Sequence, residues 1–412
     1  MINMKNIKST VISLLSTPTA EEIQAVRETE HFFAIDLLRG FSAVVILIWH
    51  YQHFYYPHPL NPGSSVPNIN ATVEPMYGLL APFYNHGYWA VQLFWIISGF
   101  VFAHVYAGKI TAARDFAISR FARLYPLHVI TLVFIGLIQI LSKHIDGGYQ
   151  VVTVNDPYDF FLNLFFISQW GFQSAASFNA PIWSVSIEMG IYALFFILAR
   201  NIFSAGVVFS VVLVLFGYVI VQVGTPLWFF GMCSMFFFTG VLIFYLLAKC
   251  RNNKIFILSI CMLSLAYFSH FVISGIVERK PFTNTEGYLL APIVVLAGLI
   301  DISRIGKKTF QKLRWIGDAT YSIYLWHFPI QVFVLTFLFY FSINRSFFNR
   351  PITLFIWIFG MLLIGRLSFR YIERPLQSAA KSWAYKNISV GPEKVLPPFT
   401  EADLPDARDR SR

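Results

Sequence analysis

The stretch IDLLRGFSAVVILIWHYQHF, residues 35–54, has the apolar length of a membrane span, yet it carries Arg39 near its start and His50 near its end. A charged side chain in the bilayer centre costs about 3 kcal/mol on translocon scales. The two residues lie 11 positions apart, three helical turns plus roughly 20°, so a helix puts them on one face. Their axial separation is about 16 Å. Snorkelling of Arg39 to one headgroup layer and an interfacial His50 would explain each residue singly. Turning both into a protein interior explains the shared face.

The rest of the chain repeats that apolar length. Of 412 residues, 56% are hydrophobic and 18% aromatic, and only 13% are charged, against about 25% charged in soluble domains. Runs near 20 residues predict an all-α integral membrane protein; a β-barrel would alternate polar and apolar residues over about 10 positions. Ten spans are expected, at 33–52, 88–106, 124–142, 181–199, 203–222, 227–248, 255–275, 286–300, 316–341 and 351–371. They divide the chain into a cytoplasmic N-terminal segment (1–32), a transmembrane domain (33–375) and a mobile cytoplasmic tail (376–412). No cleavable signal peptide, second soluble domain or internal repeat is expected. The three cysteines have no metal or disulfide spacing, so no metal site is expected.

With both termini in the cytoplasm, the outer loops hold Lys143, Arg279, Lys280, Arg345 and Arg350, five of the 31 basic residues. The inner side collects Lys109, Arg114, Arg120, Arg123, Lys249, Arg251, Lys254 and the run from Arg304 to Arg314. That asymmetry fixes the orientation and accounts for the net charge of +10 without a nucleic-acid partner. The segment YDFFLNLFFISQWGF, 158–172, is apolar but short, and a full crossing there would invert every later loop. It is expected to be re-entrant or interfacial.

Several motifs place polar chemistry inside this apolar frame. YWAVQLFWIISGFVFAHVY (88–106) carries Ser98-Gly99, a close-packing pair, and His104, read as structural. SRFARLYP (119–126) sets Arg120 and Arg123 one turn apart at an inner helix start, where arginines suit phosphate but also serve as ordinary inner charge. APIWSVSIEMGIYALFF (180–196) buries Glu188, with Trp183, Ser184 and Tyr192 on nearby turns. An intramembrane carboxylate needs a partner, and the topology puts Glu188 level with His50, where the pair would orient the imidazole as a base. ATYSIYLWHFPI (319–330) sets His327 two residues before Pro329, which frees a carbonyl near Leu325 and predicts a polar kink. RYIERP (370–375) closes the last span with mixed charge.

In their order along the chain, DLLRGFSAVVILIWH, FWIISGF, RFARLYP, WSVSIEMGIY, YSIYLWHFP and IERP resemble the motifs of membrane-bound acyltransferase family 3, over about residues 33–375. The resemblance implies that His50 is the catalytic residue of acyl transfer. It implies that Arg39 contacts acyl-CoA or shapes the site, and that Arg120 and Arg123 lie at the cytoplasmic mouth near coenzyme A phosphate. Glu188 and His327 fall on family motifs, Glu188 as a third catalytic candidate. Asp36, Trp183, Ser184, Tyr192, Tyr321 and His327 are the candidates for a substrate channel. The sequence departs mildly, with FWIISGF where Phe-Phe is usual and Met189-Gly190 after the glutamate. No appended esterase domain is expected.

The activity expected on this footing is acyl transfer, acetyl first, from acyl-CoA to a hydroxyl of a cell-envelope carbohydrate or glycolipid at the bacterial inner membrane. His50 would act as general base or as nucleophile. A small-molecule or lipid acceptor stays open within that class. From a different class, a transporter of a lipid-linked or acylated sugar would also line its path with buried ionisable residues.

Overall fold

The computed structural model describes residues 18–29, 31–55, 74–106, 112–224, 226–250 and 290–387, with isolated positions 262, 266, 269 and 287. All regular structure among these is helical apart from one isolated parallel bridge between Val154 and Ser177. In chain order the helices are α1 (Ala20–Arg27), α2 (Phe33–His50), α3 (Tyr77–His86), α4 (Trp89–Tyr106), α5 (Ala113–Asp146), α6 (Pro157–Leu164) and α7 (Trp183–Val223). They continue as α8 (Trp228–Cys250), α9 (Ala291–Ile302), α10 (Lys307–Asp318), α11 (Thr320–Tyr340), α12 (Pro351–Ser368) and α13 (Arg374–Asn387).

Eight described segments are long and apolar enough to cross a membrane, and each coincides with one of the ten expected spans. The two others end differently. The expected span 255–275 falls almost wholly outside the described residues, and 286–300 appears as the 12-residue helix α9, which is not among the eight. The chain is a multi-pass helical membrane protein, with large apolar side chains such as Leu137, Ile197, Phe216 and Phe359 exposed on the outside of the bundle.

Close packing of the central helices depends on missing side chains. A Cβ on Gly99 of α4 would sit 1.7 Å from the Phe237 carbonyl oxygen, and one on Gly240 of α8 would sit 1.9 Å from that of Ile96. The two glycines therefore let α4 and α8 cross backbone to backbone, the small-residue contact expected of Ser98-Gly99. Helix α7 is two spans joined at Gly206, where φ 34° and ψ −101° break the helical path.

The segment 150–182 is the feature that positions the site. Helix α6 has eight residues, about 12 Å of length, far short of the roughly 30 Å hydrocarbon layer. The chain runs down beside α5: Gln150 exchanges hydrogen bonds with Gln139, and the Asn163 carbonyl accepts from His128 Nε2 at 2.8 Å. The turn is then pinned to α7, because Ser186 Oγ donates to the Phe166 carbonyl at 2.7 Å and Trp170 Nε1 donates to the Ser186 carbonyl at 2.9 Å. His128 lies 18 residues from the end of α5, about 27 Å along its axis, so the hairpin dips deep into the bundle. One side of it is buried against α5 and α7, while Tyr158, Phe161, Phe165 and Phe172 stay exposed on the other.

The returning strand of the hairpin repairs a defect. Pro329 lacks the N–H that would pair with the Leu325 carbonyl, and Asn179 Nδ2 donates to that oxygen at 3.1 Å. The carbonyl that Pro329 frees in the otherwise continuous helix α11 thus has a polar partner, which comes from 146 residues away. Where α2 begins, Asp301 accepts from the backbone N–H groups of Ala34 at 2.9 and 3.0 Å and of Ile35 at 3.2 Å, capping the helix from α9.

Candidate active site

Two polar layers lie inside the bundle, one at each end of the α2 face that carries Arg39 and His50. At the His50 end the neighbours are imidazoles. The His50 ring lies 4.9 Å from that of His327 and 5.3 Å from that of His53, centroid to centroid. Phe328 and Trp49 edge the group at 6.3 and 4.7 Å from His50. His327 is fully buried, and its Nδ1–H donates to the Tyr324 carbonyl at 2.7 Å. A carbonyl only accepts, so the neutral ring carries its proton on Nδ1 and presents a bare lone pair at Nε2. That Nε2 and His50 Nδ1 are both buried without a hydrogen-bond partner.

Gln331, one turn beyond His327 and also fully buried, joins the same place. Its Nε2 donates to the His50 backbone carbonyl at 2.8 Å, which holds the last turn of α2. Its Oε1 is buried and unpartnered.

The Arg39 end is a layer of charge. Asp36 Oδ2 pairs with His31 Nε2 at 2.6 Å, and Asp36 Oδ1 lies 3.4 Å from Arg39 Nη1. Glu188 accepts from the Tyr192 hydroxyl at 2.6 Å, and Tyr192 is 3.0 Å from Ser98 Oγ. Arg39, Arg123 and Arg120 lie within electrostatic reach of Glu188. Arg120 lies over the Phe102 ring at 5.0 Å, and Phe102 stacks on Tyr192 at 4.2 Å. Glu373, nearly fully buried, accepts from Ser322 Oγ at 2.6 Å and also lies within reach of Arg123 and Arg39. It ends a π-helical turn, Phe369–Glu373, a local irregularity often found at functional sites.

The expected Glu188–His50 pair is not formed. The expectation assumed that α7 begins at the outer surface, whereas the re-entrant hairpin delivers residue 182 to the bundle interior. Ser184 meets the Tyr324 hydroxyl at 2.8 Å, beside His327. From there α7 and α11 run in opposite directions, which puts Glu188 about 10 Å from the imidazole layer along the axis. Glu188 therefore belongs with the arginines, and the ring nearest His50 in α11 is His327.

Other candidates divide between the layers. Asp36, Arg39, Arg120, Arg123, Glu188 and Tyr192 share the charged layer, with Tyr321 donating to the Leu124 carbonyl at 2.7 Å. Ser184 and His327 border the imidazoles. Trp183 packs in the aromatic core against Trp95 at 5.7 Å and Phe229 at 4.9 Å. Sequence reasoning missed His53, Gln331 and Glu373 as site residues and Asp301 as the cap of α2. His53 stands in WHYQHF and Gln331 at His327 plus four, so helical spacing from the two marked histidines would have found both. Nothing in the sequence signals Asp301.

Comparison with known proteins places the chain in a family. The chain is 24% identical over 336 residues to the peptidoglycan O-acetyltransferase OatA of Listeria monocytogenes, which covers 71% of this chain and 51% of that protein. It is 24% identical over 354 residues to the putative peptidoglycan O-acetyltransferase YrhL of Bacillus subtilis, with 71% and 51% covered. A putative O-acetyltransferase of Staphylococcus aureus is 21% identical over 344 residues, with 73% and 54% covered. The chain thus spans about half the length of the curated relatives it matches. No solved structure matches. The family model described as an acyltransferase domain matches residues 32–370, which take in both polar layers apart from His31 and Glu373, and the chain belongs to that acyltransferase 3 family.

Proposed function

We propose that this protein moves an acyl group, acetyl first, from acyl-CoA to a hydroxyl of a cell-envelope carbohydrate at the bacterial inner membrane, with His50 as the proton acceptor. The observation that carries the reading is the His50–His327 contact, 4.9 Å between centroids, with a buried and unpartnered ring nitrogen on each. A general base needs a lone pair within hydrogen-bond reach of the hydroxyl it deprotonates. Relatives named O-acetyltransferases make acetyl the first acyl group to test, and those named for peptidoglycan make a polymer sugar the first acceptor.

The steps balance without another reagent. The acceptor oxygen attacks the thioester carbonyl as His50 takes its proton; a C–O bond forms, the C–S bond breaks, and the imidazolium returns the proton to the departing thiolate. The orientation read from the loop charges turns the Arg39 layer toward the cytosol, where Arg39, Arg120 and Arg123 would meet coenzyme A phosphates. The roughly 16 Å from Arg39 to His50 suits an extended pantetheine arm reaching between the layers.

The test is His50→Ala in cells with matched membrane levels of protein, reading acetyl groups on isolated peptidoglycan and surface glycans by mass spectrometry. Loss of acetyl groups is expected. Unchanged acetylation removes His50 from the chemistry.

A further inference from the structure

The acyl-transfer reading leaves open how the acceptor is recognised, and the hydrogen-bond polarity of the imidazole layer bears on that. Main-chain carbonyls decide it. The Tyr324 carbonyl takes the Nδ1–H of His327, so Nε2 is the bare nitrogen; the His50 carbonyl takes the amide N–H of Gln331, so Oε1 is the bare oxygen. Exchanging O and N in the Gln331 amide would set two acceptors against each other, so the assignment is fixed by chemistry. The nearby Tyr324 hydroxyl is engaged with the Pro181 carbonyl. His327 and Gln331 sit one turn apart on one face of α11, both at 0% exposure, so bulk water supplies no donor to either. Buried polar atoms in this state call for an explanation, and two accepting atoms beside a ring with the geometry of a base are suited to a donor from a bound molecule.

We propose, on the footing of the acyl-transfer reading, that Gln331 Oε1 reads the acceptor by taking a hydrogen bond from it next to the His50–His327 pair. The acceptor is then a neutral compound with two adjacent donors: the hydroxyl that is acylated beside His50, and a neighbouring hydroxyl or amide N–H held by Gln331. A sugar diol or an N-acetylamino sugar satisfies both. A carboxylate or phosphate oxygen at the second position faces acceptors and is rejected. Gln331 is thus a specificity-determining residue, and its second contact, to the His50 carbonyl, ties acceptor binding to the position of the imidazole.

The experiment uses the full chain in lipid nanodiscs with acetyl-CoA as donor. The acceptors are methyl β-glucoside, methyl N-acetyl-β-glucosaminide and their monodeoxy and monofluoro analogues. Fluorine fills the space of a hydroxyl and cannot donate, which separates the two polarities. At one position next to the acetylated hydroxyl, the deoxy and fluoro analogues should both lose roughly tenfold or more in kcat/KM. Gln331→Leu should lose that preference, accepting parent and deoxy sugar alike at the deoxy rate. A fluoro analogue as good as the parent overturns the proposal, as does a rate indifferent to deoxygenation at every position. So does a Gln331→Leu chain that is slowed equally on parent and deoxy sugar, which would leave Gln331 only its hold on α2. The analogue comparison uses the unaltered chain and stands even where Gln331→Leu fails to fold. Absence of any His50-dependent transfer to the parent sugars overturns the acyl-transfer reading itself, a result distinct from the others.

Discussion

Replacing Asn179 by Ala should destabilise the protein in a way that Pro329 alone explains. Asn179 Nδ2 is the donor to the Leu325 carbonyl, at 3.1 Å and 1% exposure, in a part of the bundle with no solvent to replace it. Leaving a buried carbonyl without a donor costs about 1–3 kcal/mol, and intramembrane hydrogen bonds measured by mutant cycles average about 0.6 kcal/mol, so a loss near 1 kcal/mol is expected. Pro329→Ala restores an N–H four residues after Leu325, and α11 can then close its own hydrogen bond. In that background Asn179→Ala should cost much less, giving a coupling of about 0.5–2 kcal/mol between residues 150 positions apart. The assay is reversible unfolding in lipid nanodiscs or bicelles of the four chains of the cycle. Asn179→Ala with the same penalty in both backgrounds would refute the assignment of Asn179 as the partner of the carbonyl that Pro329 frees.

Three further outcomes follow from other parts of the bundle. Arg123→Ala should weaken acyl-CoA binding by roughly tenfold or more, the worth of a charged phosphate contact of about 1.5–3 kcal/mol, with acceptor KM little changed; unchanged donor affinity by calorimetry would count against the arginine layer as the donor site. Asp301→Ala removes three N–H contacts at the start of α2 and should cost about 1–2 kcal/mol, read as faster hydrogen exchange confined to residues 33–38. Glu74, outside the spans and 5% exposed, has its carboxyl pushed up by burial to about 7 from 4.5. A raised acid favours folding while it stays protonated, so the order of residues 74–86 should be greatest below pH 4.5 and should fall as pH rises toward 7, by up to about tenfold per pH unit; Glu74→Gln should flatten this in pulsed hydrogen exchange.

How much of this was legible depended on whether the information was periodic or positional. The spans were readable because burial in lipid demands long apolar runs, and eight of them appear at the expected places. The shared face of Arg39 and His50 was readable because an uninterrupted 18-residue helix, Phe33–His50, converts spacing directly into angle and rise. The proline-freed carbonyl at Leu325 was readable from one residue, although its donor, Asn179, was not. Depth was the failure. Glu188 was assigned the level of His50 by counting from the start of its span, and that count assumes that a span starts at the membrane surface. Residues 150–182 break the assumption by entering the bundle before α7 begins. A re-entrant hairpin is visible in sequence only as a short apolar segment, and its depth is set by contacts such as His128 to Asn163 and Ser186 to Phe166.

One bare nitrogen would be weak ground for a site. His128 Nδ1 is also buried and unpartnered, yet that ring stacks on Phe166 at 4.1 Å and its other nitrogen serves the hairpin, a structural histidine with one unmet valence. Structural polar groups elsewhere vary: Asp301 takes three N–H contacts and Ser186 both donates to Phe166 and accepts from Gln169, whereas Asn179 serves the Leu325 carbonyl and leaves its own Oδ1 unpartnered. The imidazole layer differs in gathering several such atoms in one place. His50 Nδ1, His327 Nε2 and Gln331 Oε1 come from two helices, and each of the latter two is turned by a main-chain carbonyl so that its accepting atom is left open. The same Gln331 amide fixes the end of the helix that carries His50. Three such atoms gathered where two helices are locked together are what a donor-rich acceptor beside His50 would complete on the proposed reading.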